Sequence, residues 1–162
     1  MNKTKAERSI FEHDYVKVWA SDSYINVSFY IEEDEPFRIG ERMNEINEHA
    51  YMNGYNWEAL IEFYLKNNAP DIYDDVFSDP EAGLYAAYFK DSKENEDKAV
   101  RLAKIILSLI DNEEELYRMV REEGNKISWD IYAENETDEY QTPVETNGLK
   151  RVWEHLKRLL HI

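Results

Sequence analysis

Four histidines, 35 carboxylates and no cysteine are the groups with which this chain could do chemistry. His13, His49, His155 and His161 never stand at i, i+3 or i+4, and no H-E-x-x-H occurs, so each reads as a lone surface histidine rather than a zinc ligand. The lack of cysteine removes disulfides, thiolate metal sites and sulfur nucleophiles, and it fits a reducing compartment. Only five glycines are present, and no G-x-S-x-G, P-loop or G-x-G-x-x-G occurs to cradle a phosphate or aim a serine. Asp71, Asp74, Asp75, Asp79 and Glu81 would fall at positions 1, 4, 5, 9 and 11 of a calcium loop. Such a loop needs oxygen ligands at 1, 3 and 5, Gly at 6 and Glu at 12, so no metal is assigned there and no cofactor is expected. Glu58 and Glu62 could serve as a carboxylate pair, but Glu58 has a simpler role near a helix start, where a negative charge complements the helix dipole.

What the acids do offer is a field. The formal charge is −16 and the pI is near 4.6, a balance that repels phosphate and so argues against nucleic acid or an anionic membrane as partner. The excess is uneven. Residues 1–31 are neutral, Glu32, Glu33, Asp34 and Glu35 give −4, residues 71–97 give −7 and residues 111–139 give −8. Between and after them, residues 98–110 are +3 and residues 140–162 are +2. Clustered acid focuses a negative potential in a way that evenly spread acid does not. Twelve tyrosines accompany it, and Tyr30, Tyr73, Tyr85, Tyr88, Tyr132 and Tyr140 border the clusters. Tyrosine is enriched at interface hot spots, where a ring supplies area and a hydroxyl supplies a polar handle. Tyr73 and Tyr140, within acidic segments expected to be loops, are the stronger interface candidates. The candidate partner-binding set is therefore Glu32, Glu33, Asp34, Glu35, Asp71, Tyr73, Asp74, Asp75, Asp79, Glu81, Glu134, Glu136, Asp138, Glu139 and Tyr140.

The elements that must position these groups follow from periodicity. At 162 residues the chain suits one domain with a real core. Tyr15–Trp19 and Tyr24–Ile31 read as a hairpin, the second strand alternating Ile25, Val27, Phe29 and Ile31 with Tyr24, Asn26, Ser28 and Tyr30. Ile39, Met43, Ile46 and Ala50 mark a helix that should stop at a left-handed Asn53-Gly54. Asn56 is expected to cap a second helix with the core stripe Trp57, Leu60, Ile61, Tyr64 and Leu65, closed by Pro70. A loop over residues 71–81 follows, with Val76-Phe77 a short strand and a turn through Asp79, Pro80 and Gly83. Leu84–Phe89 reads as a strand. Asp91 and Glu94 suggest a capping box for a helix to Ile110, its face being Ala99, Leu102, Ala103, Ile106, Leu109 and Ile110. Asp111 and Glu114 open a shorter helix stopped by Gly124. Ile127, Trp129 and Ile131 alternate as a strand, and Leu149–Leu160 forms an amphipathic terminal helix bearing Lys150, Arg151, Lys157 and Arg158. Trp19, Trp57, Trp129 and Trp153 all fall on these stripes and are assigned to the core. The expectation is a single α+β domain over residues 1–162, with an antiparallel sheet of four to six strands packed against helices and a C-terminal amphipathic helix over 140–162. No secretory or membrane-spanning stretch is visible, so a cytoplasmic protein is expected.

The segments NGYNWEALIEFYLKNNAP (Asn53 to Pro70) and SDPEAGLYAAYFKD (Ser78 to Asp91), with the helix that follows, resemble the Imm51-like immunity proteins of bacterial polymorphic toxin systems. The resemblance covers roughly residues 38–125. Its motifs are fold signatures rather than catalytic ones, and Gly54, Trp57, Glu58, Pro80 and Gly83 take structural roles in them. The resemblance implies a non-enzymatic inhibitor that binds a cognate toxin domain, as a monomer or weak homodimer. Acidity then implies a basic, nuclease-like target, and reversing Asp71, Asp74 and Asp75 together is expected to weaken its binding while sparing the fold. Two other readings stay open: a carboxylate-dependent hydrolase or lyase, and a housekeeping interaction module with no toxin partner.

Overall fold

A computed structural model describes residues 7–130. The acidic stretch 134–140, the expected terminal helix, Trp153, His155 and His161 lie outside these residues. In chain order the elements are β1 (Arg8–Glu12), β2 (Val16–Ala20), β3 (Tyr24–Tyr30), α1 (Asp34–Ile46), α2 (Gly54–Asn68), α3 (Pro70–Asp75), β4 (Phe77–Ser78), β5 (Leu84–Lys90), α4 (Lys93–Asp111) and α5 (Glu113–Glu123). The strands form one sheet in the order β1-β2-β3-β5-β4, every neighbour antiparallel. This is the expected α+β architecture with five strands.

Period-two alternation decides which sheet face is dry. Val16, Val18 and Ala20 of β2, Ile25, Val27 and Phe29 of β3, and Tyr85, Ala87 and Phe89 of β5 are all buried on one side. Against that side lies α4, whose buried residues are the six foreseen from its spacing. From α2, Trp57 meets Phe29 edge to face at 5.0 Å, and Leu60, Ile61 and Leu65 complete the layer. Burying side chains of this kind contributes ~1.5–3 kcal/mol each. The other sheet face has no described helix over it. No described helix is long and apolar enough to cross a membrane.

The structure departs from the sequence-level expectations where local chemistry had two solutions. Asn53 does not end α1. It caps α2, its side chain accepting the Asn56 N–H at 2.9 Å, while α1 stops at Ile46 and residues 47–52 link the two. Gly54 is accordingly a first-turn helical residue with no positive φ. Asn56, freed from capping, is fully buried: its Oδ1 accepts the Asp130 N–H at 2.7 Å and its amide donates to His49 O at 3.4 Å. Pro70 opens α3 rather than a loop, since its fixed φ suits a first helical turn. Ser92, one residue beyond Asp91, caps α4 by accepting the Asn95 N–H at 3.0 Å. Ile127 to Asp130 form no strand; Trp129 packs partly against the core and its indole donates to Gly124 O at 2.9 Å. β1 carries no clean alternation in sequence, since a register shift between Ser9 and Phe11 interrupts its pairing with β2.

Two phenols are held neutral by this packing. Burial, followed by the charge and hydrogen bond of Glu35, pushes Tyr15 up to about 12, and complete burial raises Tyr85 as well. Both native values lie above the ordinary value near 10, so this contribution to stability is complete below pH 10 and is lost as pH rises above it, for Tyr15 through about 12. Native absorbance at 295 nm is expected to show phenols titrating well above pH 10 that join the remainder once the chain unfolds. A native titration with no late fraction would contradict the burial of Tyr85.

Candidate functional site

The first turn after β3 and the turn between β4 and β5 come together at one end of the sheet. Register pairs Tyr30 with Leu84, and a bridge joins Glu81 to Leu84. The Glu32 carboxyl lies over Gly83, so close that a Cβ there would stand 2.8 Å from it. Two acidic clusters that are nearly fifty residues apart in sequence thus share one edge through Glu32, Asp79 and Glu81. All three are exposed, and none has an ion pair among the described residues. The Tyr88 hydroxyl lies in the same field: burial raises it first, then the Asp79 carboxylate, with Tyr24 and Glu81 adding to the rise.

The rest of the candidate set divides. Asp34 and Glu35 occupy the first turn of α1, where they complement the helix N-terminus, and Glu33 precedes it; all are exposed. Asp71, Tyr73, Asp74 and Asp75 sit on α3, not in a loop, and α3 faces α4. Arg101 of α4 holds Asp71 at 2.5 Å and keeps its carboxyl below the usual range, and Lys98 pairs with Asp75. The +3 segment therefore answers part of the −7 segment within the fold, and Asp74 is the acid of that group without an ion pair among the described residues. Tyr73 is half-buried against the core. Glu134, Glu136, Asp138, Glu139 and Tyr140 lie outside the described residues.

Among the residues given structural roles, Glu58 and Gly54 depart from the sequence reading. Trp57 is 1% exposed and belongs to the core. Glu58 lies beyond the first turn of α2 and is buried, so dipole complementarity does not explain it. Pro80 and Gly83 shape the β4–β5 turn. Gly54 is held there too, its N–H donating to Ala82 O at 2.9 Å.

The sheet face over which no described helix lies carries one residue that sequence reasoning placed elsewhere. Trp19, assigned to the core, is 36% exposed; Tyr24 and Tyr30 stand near it at 43% and 38%. Tyr85, by contrast, is fully buried, with its hydroxyl 3.3 Å from Ser78 Oγ. The outward positions of β3 alternate Tyr24, Asn26, Ser28 and Tyr30, and this period was the available signal: aromatics on the polar side of a strand. Among the described residues no group of three His, Asp or Glu is placed to hold a metal ion. Glu58 and Glu62, the pair a carboxylate mechanism would use, line neither the depression on the sheet face nor the one between α2 and α4.

The family model described as Immunity protein 51 matches residues 17–125. No curated protein and no solved structure matches the chain. The matched span runs from β2 through α5 and contains the whole acidic edge and the aromatic rings beside it.

Proposed function

The chain belongs to the Immunity protein 51 family, and from that premise we propose that it binds a cognate bacterial toxin domain in the cytoplasm and neutralises it by covering a basic, nuclease-like active site. The observation that supports this most is the gathering of Glu32, Asp79 and Glu81 beside Tyr30 and Tyr88 with no ion pair to offset them among the described residues. Like charges held together without a partner repel, so such an edge is an unfavourable surface for the free protein and a favourable one for a complex. A cationic toxin would be steered toward it at rates approaching ~10⁸–10⁹ M⁻¹s⁻¹ at low salt, fast enough to precede damage. The tyrosines supply the desolvated area that charge alone does not.

Co-expression with the toxin domain encoded beside this chain's gene tests the reading. Cells are expected to survive only when the chain is present, and the purified pair to bind with an affinity that falls as salt is raised. Killing that the chain does not relieve would defeat the proposal.

A further inference from the structure

We infer that the depression on the sheet face over which no described helix lies is an anchor pocket for an arginine side chain of the toxin domain, a refinement that rests on the function proposed above. Its walls are Trp19, Tyr24, Tyr30 and Tyr88. Its floor is low because Ser28, which lines it and pairs in register with the neighbouring Ala86, is small. Ser28 and Ala86 are 8% and 4% exposed, while the rings around them stand into solvent. The volume is about 240 Å³. That is below the ~300–1,000 Å³ of sites for small molecules and suits a single side chain.

Three features select a cation. Ser28 Oγ donates to Asn26 Oδ1 at 2.6 Å, and the Asn26 amide donates to Ala87 O at 3.3 Å. Those bonds leave lone pairs on both floor oxygens to accept from a donor-rich group. Apart from the tyrosines, Glu7 is the titratable residue lining the depression, and Asp79 and Glu81 bias its Tyr88 wall. The rings already take a cation from within the chain, since Lys17 Nζ lies 5.7 Å from the centroid of Tyr30. Arginine fits better than lysine because its planar guanidinium stacks on a ring while its N–H groups point outward in a fork. An aromatic centre ringed by contacts that exclude water is also how interface hot spots are built.

The test uses the full chain. Acetyl-Gly-Arg-Gly-amide is titrated while the Trp19 indole N–H is followed by NMR, assigned through Trp19→Phe. The arginine peptide is expected to shift that resonance, and its citrulline analogue to bind at least ~10-fold more weakly. No shift, equal binding of the two peptides, or a Trp19 indole already shielded in the free protein by residues 131–162 or by a second copy would overturn the inference. With the toxin domain, Trp19→Ala/Tyr24→Ala is expected to lower affinity by about 30-fold or more. Tyr51→Ala, exposed but outside the depression, is expected to leave affinity unchanged. Circular dichroism confirms that the double variant is folded. Neutralisation and affinity unaltered by the double variant would overturn the anchor pocket while leaving the immunity function standing. A wild-type chain that fails to bind the toxin would overturn both.

Discussion

Gly54→Ala is expected to lower stability by about 3 kcal/mol or more, and the melting temperature by roughly 10 °C. A Cβ at this position would lie far inside van der Waals contact with the carbonyl oxygens of Glu81 and Leu84. Both obstacles are backbone, so neither can swing aside as a side-chain tip would. Relief requires α2 to move away from the β4–β5 turn, which breaks the Gly54 N–H to Ala82 O bond and loosens the Trp57 contact with Phe29. A loss of that size is a large part of the ~5–15 kcal/mol by which domains are usually stable. Gly83→Ala is the control. The atoms its Cβ would meet belong to the flexible Glu32 carboxyl, which can rotate away, so stability should change by under about 1 kcal/mol. Thermal denaturation of the two variants checks the contrast, and equal melting temperatures would contradict it.

The second large effect concerns the acidic edge. Glu32→Lys/Asp79→Lys/Glu81→Lys is expected to weaken toxin binding by about 2–5 kcal/mol, a factor of about 30 to several thousand, and to flatten its salt dependence. These acids are exposed and have no ion pair among the described residues, so their reversal removes no internal salt bridge, and the variant should melt close to the wild type. The sequence-level expectation assigned the steep loss to reversal of Asp71, Asp74 and Asp75. With Arg101 on Asp71 and Lys98 on Asp75, much of that charge is already neutralised. Reversing the α3 trio should therefore cost less affinity than reversing the edge. It should also reduce stability, because an exposed pair, Arg101 with Asp71, and a partly buried one, Lys98 with Asp75, worth about 1 kcal/mol or less each, become repulsive contacts. Calorimetric affinities and melts of both triple variants separate the two surfaces. If the α3 variant lost more affinity than the edge variant, the toxin would be docking on α3.

Elements with a long, unambiguous period were readable from residues alone. The α4 stripe from Ala99 to Ile110 and the alternation of β3 leave no other economical way to bury their apolar side chains. Their boundaries were less readable, because neighbouring polar residues compete to cap. Asn53 and Asn56 can each accept a first-turn N–H, as can Asp91 and Ser92. The choice fell to contacts no local window contains, such as Asn56 holding Asp130 across seventy-four positions. Gly54 shows the same limit: a glycine after asparagine reads as a left-handed stop, whereas here it is required by the approach of a distant turn.

By itself the sequence determined the architecture's class, the buried faces, the family and a surplus of negative charge, since each depends on residue type and spacing along one chain. Only the tertiary structure decided which of that charge is available. It set Arg101 and Lys98 against α3, turning one acidic cluster into internal ion pairs. It brought Glu32 over Gly83, joining two others into an edge beside Tyr30 and Tyr88 that has no ion pair among the described residues. It also left one face of the sheet uncovered by any described helix, so that Trp19 stands partly in solvent rather than in the core. The physical reason is that charge and exposure belong to neighbourhoods in space, and antiparallel pairing makes neighbours of residues whose sequence distance carries no sign of it.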